Sequence, residues 1–419
     1  MKLIFHGAVR EVGRSCIELV TQQARFLLDA GIKLGTETGY PEEIKNIKEI
    51  TAGILSHAHL DHCGAWPYLV SKGLNCPIYT TSVTKDLARI LMKDFYKVEC
   101  LNHIPPYNQE NTEKAIELIN TVRYRTPFEI KDAYFKFFDA GHIPGSAFIL
   151  IESNNKKLVY TGDINLMETR LIKGADLNLE PIDAIIMEAT YGNKEHPNRQ
   201  QTEKEFLSKV KETLKRGGKV FIAAFAVGRT QELMLLLNSK KWNVPIYVDG
   251  MGKDMTEIMI HHDAVKDKTK MIDARNKIKA VRGRMQREDA LKKQGIFISS
   301  AGMMTGGPII DYLKQGHQDP KNIFLLTGYV DDGTNGRMLL DEGTVFIEGR
   351  KTKVQAEYGQ YNFSAHSGER ELKEIVETLK PKKVILVHGE KEAMENLADY
   401  LRKKGKEVFI PELGSEINI

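Results

Sequence analysis

The sequence predicts an α/β protein of two domains, one inserted into the other. Three observations carry this. At 419 residues the chain exceeds the usual size of a single domain. Short apolar runs alternate with helix-period segments almost throughout. The stretch 194–350 is a unit of its own, with strands expected at 219–225, 244–249, 295–299 and 322–327, a helix at 230–238 after the first, and further helices between the later strands. Such alternation implies a mostly parallel, Rossmann-like sheet. The first domain is expected to comprise residues 1–193 and 351–419, on either side of this insertion.

The helices outside and inside the insertion carry their own punctuation. Thr202 and Glu205 have capping-box spacing ahead of an apolar face of Phe206, Val210 and Leu214, and Gly217-Gly218 ends that segment. Leu372, Ile375, Val376 and Leu379 form a second face closed by Pro381. Ala393, Leu397 and Leu401 form a third, ended by Gly405.

Hydrophobic residues make up 42%, enough for globular cores, and the net charge of +4 permits a polyanionic partner without requiring one. The four cysteines, Cys16, Cys63, Cys76 and Cys100, include no CxxC pair, so neither a disulfide framework nor a cysteine zinc site is expected, and a reducing cytoplasm fits. No apolar run approaches the roughly 18–20 residues of a membrane span. Met1 to Phe5 is too short for a signal peptide before His6 and Gly7. The expected location is the cytoplasm, away from membranes.

The strongest local signal is Ser56-His57-Ala58-His59-Leu60-Asp61-His62, directly after the apolar run 52–55. A strand ending in a tight loop presents four ligand-type side chains, and imidazole with carboxylate suits zinc. Other apolar runs end the same way: 26–28 before Asp29, 135–138 before His142, 158–160 before Asp163, 184–187 before Glu188, and 384–387 before His388. One Asp or His after a strand is usually a turn or cap residue. Six such endings point instead to ligands gathered at one sheet edge. Seven donors overfill one tetrahedral ion and suit two. His57, His59 and His142 are assigned to the first, Asp61, His62 and His388 to the second, with Asp163 bridging. Asp29 is expected to orient a ligand histidine rather than to bind metal.

This set resembles the metallo-β-lactamase superfamily, whose signature is HxHxDH followed by a distant His, Asp and His. The resemblance implies an αββα sandwich with the site on one edge. With the insertion, it narrows to the β-CASP branch, nucleases of RNA processing and decay. Met187-Glu188-Ala189-Thr190-Tyr191-Gly192, Asn362-Phe363-Ser364-Ala365-His366 and Val387-His388-Gly389-Glu390 match that branch, as do Ala224 to Glu232, Ser300 to Met303 and Gly328 to Arg337 in the insertion. Arg10 to Cys16 looks like the archaeal cleavage and polyadenylation specificity factor group, here without room for N-terminal KH domains. His6-Gly7-Ala8-Val9 departs from that group's Gly-Gly stretch, and Gly368 stands where an acidic residue commonly follows the histidine motif.

The resemblance implies hydrolysis of RNA phosphodiesters with two zinc ions, internal cleavage being the leading mode and 5′–3′ exonuclease action left open. It pairs His366, as the acid for the leaving oxygen, with Glu188 as the carboxylate that orients it. Arg229, opening a helix after a strand, is a candidate phosphate contact or a structural ion-pair partner. The basic run Arg275, Lys277, Lys279, Arg282, Arg284 and Arg287 is read as a solvated face. His261-His262 is read as surface, and Cys63 as packing filler. Gly250-Met251-Gly252-Lys253 lacks Walker A spacing, so no nucleoside triphosphate is implied. Single-stranded RNA is the expected partner, with other RNA-processing factors and a homodimer left open. Thioester or lactone hydrolysis and DNA cleavage are the rival activities; the first would need neither the insertion nor the Glu188–His366 pair.

Overall fold

Leu3 and Phe5 point one way from their strand and Lys2 and Ile4 the other, a period-two pattern that sets one face of a sheet into a core. The computed structural model describes residues 1–35 and 38–419, Asn102 by its backbone alone. Two compact units divide the chain: residues 1–168, 173–195 and 365–419 form the first, and 169–172 and 196–364 the second.

The first unit contains two seven-stranded sheets. One runs in the order Glu416–Asn418, Lys2–Phe5, Ile17–Val20, Arg25–Leu28, Ala52–Ile54, Ile78–Thr81, Ile119–Val122. The other runs Glu407–Phe409, Lys383–Val387, Ala184–Glu188, Lys156–Tyr160, Ala147–Ser153, Ala133–Asp139, Phe128–Ile130. Their inner faces share a core of Leu3, Phe5, Leu19, Phe26 and Ile54 from the first sheet and Phe135, Phe137, Ile149, Ile151 and Ile186 from the second. On the second sheet's other face, Leu372, Ile375 and Val376 of helix Glu369–Leu379 and Leu397 and Leu401 of helix Lys391–Lys403 cover Val159, Ile185 and Leu386. Over the first sheet lie the helices between Leu60 and Glu117; Trp66 packs so closely on Gly53 that a Cβ there would lie 2.5 Å from the indole. Helices thus flank two facing sheets, the αββα order expected from the resemblance.

Strand direction decides where the chain can gather ligands. Lys156–Tyr160, Ala184–Glu188 and Lys383–Val387 are parallel, and Ala133–Asp139 joins them through two antiparallel pairings. Arg25–Leu28 and Ala52–Ile54 are parallel in the other sheet. The C-terminal ends of these strands therefore lie along one edge of each sheet.

The second unit is a six-stranded sheet in the order Lys279–Val281, Ile246–Asp249, Ile296–Ser299, Val220–Ala223, Ile323–Leu326, Glu357–Gln360, parallel at every pairing. The order reverses beside Val220–Ala223, as in doubly wound folds. Apolar layers cover both faces, Leu233 and Met271 on one, Ile309, Tyr312 and Leu339 on the other. This unit extends past Arg350 to Ser364, because Glu357–Gln360 adds the sixth strand beside Ile323–Leu326.

One helix start differs from the sequence reading. Helix Arg199–Lys215 begins three residues before Thr202, which lies inside it and donates its hydroxyl to the Asn198 carbonyl at 3.1 Å. The cap is Asn198, whose side-chain oxygen accepts from Gln201 N at 3.1 Å. Asparagine satisfies the first-turn amide as well as threonine does, so the capping-box spacing was coincidental. No helix among the described residues is long and apolar enough to cross a membrane. Asn198→Ala should therefore cost about 1 kcal/mol of stability, read from denaturant unfolding. An unchanged midpoint would remove Asn198 as the cap.

Candidate metal centre

At the edge of the first unit, strand after strand stops at a polar side chain. Arg25–Leu28 gives way to Asp29, Ala52–Ile54 to the His57–His62 loop, Ala133–Asp139 to His142, Lys156–Tyr160 to Asp163, and Lys383–Val387 to His388; Glu188 ends its own strand. Three ligand-type groups result: His57, His59, His142 and Asp163 form one, Asp61, His62, Asp163 and His388 the second, and Asp163, Glu188 and His366 a third, the donor atoms of each lying within 4.8 Å of one another. The structure thus brings together all seven residues assigned from the sequence.

Asp163 faces the first two groups with different oxygens. Its Oδ2 lies 3.5 Å from His57 Nε2 and 3.6 Å from His142 Nε2. Its Oδ1 lies 3.3 Å from both His62 Nε2 and His388 Nδ1. In the first group His59 Nδ1 and His142 Nε2 stand 3.1 Å apart, and in the second His388 Nε2 is 3.2 Å from Asp61 Oδ2.

Behind the donors lies a layer of hydrogen bonds. Asp29, fully buried, accepts from Ser56 N at 2.6 Å on Oδ1, and on Oδ2 from Ser56 Oγ at 2.7 Å, Tyr160 OH at 2.6 Å and His62 Nδ1 at 2.7 Å. His142 Nδ1 donates to the Ala365 carbonyl at 2.8 Å. Thr190 Oγ1 stands 3.3 Å from His388 Nδ1. Backbone geometry helps: Asp29 (φ 60°) and His388 (φ 49°) are both left-handed, and a Cβ at Gly31 would lie 1.6 Å from the Asp61 carbonyl oxygen. The N-terminal loop buttresses the edge, Ser15 N donating to Asp61 O and His388 N to Ala8 O. Ala8 holds the left-handed conformation (φ 56°) at the place where the sequence departs from Gly-Gly.

Glu188, also fully buried, holds a second arrangement. Its Oε1 accepts from Ile164 N at 2.8 Å, beside Asp163, and His366 Nδ1 lies 2.9 Å from Oε2. The carboxylate partner missing at Gly368 is therefore supplied from a neighbouring strand end. Burial by itself lowers the His366 pKa, but Glu188, with Asp163 behind it, outweighs this and raises it to about 9. Burial drives His57 and His142 well below the ordinary imidazole range, leaving them neutral as metal ligands must be. At His62 and His388 burial is outweighed by Asp163 first, and the pKa values rise.

Whether these residues suit metal ions can be judged from atoms the protein leaves unpaired. His57 Nε2, His59 Nε2, His62 Nε2 and Asp163 Oδ1 are buried without a hydrogen-bond partner; the last two approach to 3.3 Å but out of alignment. A buried polar atom without a partner costs about 1–3 kcal/mol. Several converging on one spot, with carboxylates among them, fit cations.

The remaining sequence readings fall in the second unit or beside the site. Arg229 is buried with Nη1 3.4 Å from Glu232 Oε2, a carboxylate that Arg199 also engages. Of the basic run, Arg275 pairs with Glu257, Lys277 with Asp273, Arg284 with Glu288, and Arg287 with Asp249 and Asp311. Cys63 is buried and donates to the Ala58 carbonyl at 3.0 Å. His261 is exposed. Sequence reasoning gave no role to Ser56, Tyr160, Thr190 or the Ala365 carbonyl. Ser56 and Tyr160 adjoin ligand motifs, yet a hydroxyl there reads as ordinary strand or turn chemistry.

Facing sheets with a His/Asp cluster at one edge define a metal-dependent hydrolase scaffold. The chain belongs to the β-CASP branch of the metallo-β-lactamase superfamily: residues 19–190 match the metallo-beta-lactamase superfamily domain, 230–339 the Beta-Casp domain, and 351–411 the Zn-dependent metallo-hydrolase RNA specificity domain. It is 41% identical to "Probable RNase MJ4" of Methanocaldococcus jannaschii over the full length of both. It is 35% identical to "RNase aCSPSF2" of Saccharolobus solfataricus, covering 99% of this chain and 84% of that one. "Transcription termination factor FttA" of Methanocaldococcus jannaschii is 33% identical, with 98% of this chain and 70% of that one aligned. A crystal structure of a protein of unknown function from Enterococcus faecalis V583 superposes with a TM-score of 0.65 at 15% identity, covering 100% of this chain and 99% of that one, which shows a shared fold.

Asp163 is the one residue common to the first two groups. Asp163→Ala should strip metal from both, whereas His142→Ala should leave the second group loaded. Metal-to-protein ratios from elemental analysis distinguish the two, and equal loss in both variants would mean that Asp163 is not shared.

Proposed function

We propose that this chain is a ribonuclease that hydrolyses phosphodiester bonds of single-stranded RNA with two zinc ions. The observation that carries the reading is a histidine that belongs to neither group of assigned donors and has its Nδ1 committed to buried Glu188: His366, which meets the donors only through Asp163 and lies 4.6 Å ring to ring from His142. End-to-end similarity to a protein named "Probable RNase MJ4" supports RNA as the substrate. Seven nitrogen and oxygen donors in two groups suit two zinc ions. Free thiols at all four cysteines support a reducing, cytoplasmic setting.

In this reading His57, His59 and His142 would hold one ion and Asp61, His62 and His388 the other, with Asp163 available to both groups. When bound, the ions supply Lewis acidity and an activated water. Hydrolysis forms a bond from water oxygen to phosphorus and breaks the bond from phosphorus to the 3′ oxygen. The departing oxygen needs a proton, and a histidine that binds metal through one ring nitrogen has its N–H on the other, which at His62 and His142 is already bonded to Asp29 and to the Ala365 carbonyl. His366 supplies it from Nε2, the ring nitrogen opposite Glu188, while Glu188 holds the ring and stabilises its protonated form. Glu188 also accepts from the backbone of Ile164 beside Asp163, so one carboxylate holds both the His366 ring and the turn that carries Asp163. Arg229 can act as a phosphate contact only by sharing or releasing Glu232. Cleavage within the strand is the mode proposed.

His366→Ala should keep its full zinc content and slow single-turnover RNA cleavage roughly 10²–10⁴-fold. Full activity would remove His366 as the acid, and loss of zinc would make it a ligand. His388→Ala should lose zinc and activity together. Elemental analysis of the replete wild-type chain should give about two zinc ions; a reproducible single ion would overturn that stoichiometry.

A further inference from the structure

We infer that Ser56 is a positioning residue that fixes the ring tautomer of His57, and that through it one buried carboxylate, Asp29, orients a ligand of each metal group by separate routes. The inference deepens the two-ion reading and rests on it. It follows from counting protons. A carboxylate has none to give, so an oxygen 2.7 Å from Asp29 Oδ2 must be the donor, and Ser56 Oγ spends its hydrogen there. Ser56 Oγ also lies 3.0 Å from His57 Nδ1. With its hydrogen committed, the hydroxyl can only accept from that nitrogen. His57 therefore carries its proton on Nδ1, and Nε2 is left as a bare lone pair. This is the atom buried without a hydrogen-bond partner, 3.5 Å from Asp163 Oδ2.

The second route is shorter. His62 Nδ1 donates directly to Asp29 Oδ2 at 2.7 Å, which leaves His62 Nε2 for the second group. Tyr160 OH, 2.6 Å from the same oxygen, completes its set of donors. Ser56 has no freedom to turn elsewhere: its backbone N is bound to Asp29 Oδ1, and a Cβ at Gly162 would lie 2.6 Å from its Oγ. Serine thus serves the first group alone, whereas Asp29 serves both.

Loss of an outer partner of a ligand histidine costs about 10–100-fold in metal affinity. Zinc titration by calorimetry, with cobalt absorption spectra as a second readout, should show Ser56→Ala weakened by that factor at one of two sites and unchanged at the other. The intact site also reports a folded protein. Ser56→Thr, which keeps the hydroxyl, should restore the lost affinity, and Asp29→Asn should weaken both sites. Two wild-type sites with Ser56→Ala unaltered, or weakened equally at both, would overturn the role of Ser56. A wild-type chain that binds one ion would instead overturn the two-ion reading, and with it the separation of the routes.

Discussion

A carboxylate buried away from water is tolerated only when hydrogen bonds replace its hydration, and Asp29 meets that condition with four donors from three residues. Because the donors are themselves parts of the ligand loop and a neighbouring strand, satisfying the charge also sets the loop. Ser56 is held by backbone and hydroxyl, His62 by its ring, and Tyr160 reaches across from the facing sheet. Asp29 accepts a left-handed backbone to sit there, a local cost of about 1–2 kcal/mol that the network repays.

Glu188 does for the second sheet what Asp29 does for the first. One oxygen fixes the turn that carries Asp163, and the carboxylate as a whole fixes His366. Asp29 thus holds His62 and the loop at Ser56, Glu188 holds the turn at Asp163 and the His366 ring, and the Ala365 carbonyl holds His142. The sandwich makes this possible. Parallel strands at the middle of each sheet deliver their C-terminal ends to one edge, and the shared apolar core holds the sheets in register.

Much is legible in the amino-acid sequence itself. HxHxDH packs four donors into six residues, a density that ordinary loops do not show, and the distant His142, Asp163 and His388 each follow an apolar run. The parallel sheet of the second unit was visible in the strand and helix alternation, with ends shifted by one or two residues. The start of helix Arg199–Lys215 was misplaced because Thr202 and Glu205 fit a cap pattern as well as Asn198 does, and spacing alone cannot rank two plausible caps. The last strand of that sheet, Glu357–Gln360, escaped notice because an edge strand buries little and so carries weak alternation.

The ligand-type residues at the strand ends and the strand–helix alternation were properties of the sequence, since each is encoded by residue type at short spacing or by local periodicity, and the αββα order followed from the family resemblance those motifs carry. Which atoms meet, and that Ser56 and Tyr160 are the hydroxyls on Asp29, was decided by tertiary structure. Ser56 and Asp29 are 27 residues apart, Tyr160 and Asp29 131, and His366 and Glu188 178. No local pattern links positions so distant. Only the pairing of strands across two sheets brings a hydroxyl, a ring nitrogen and a carboxylate within about 3 Å, where a carboxylate that can only accept makes the groups around it donate.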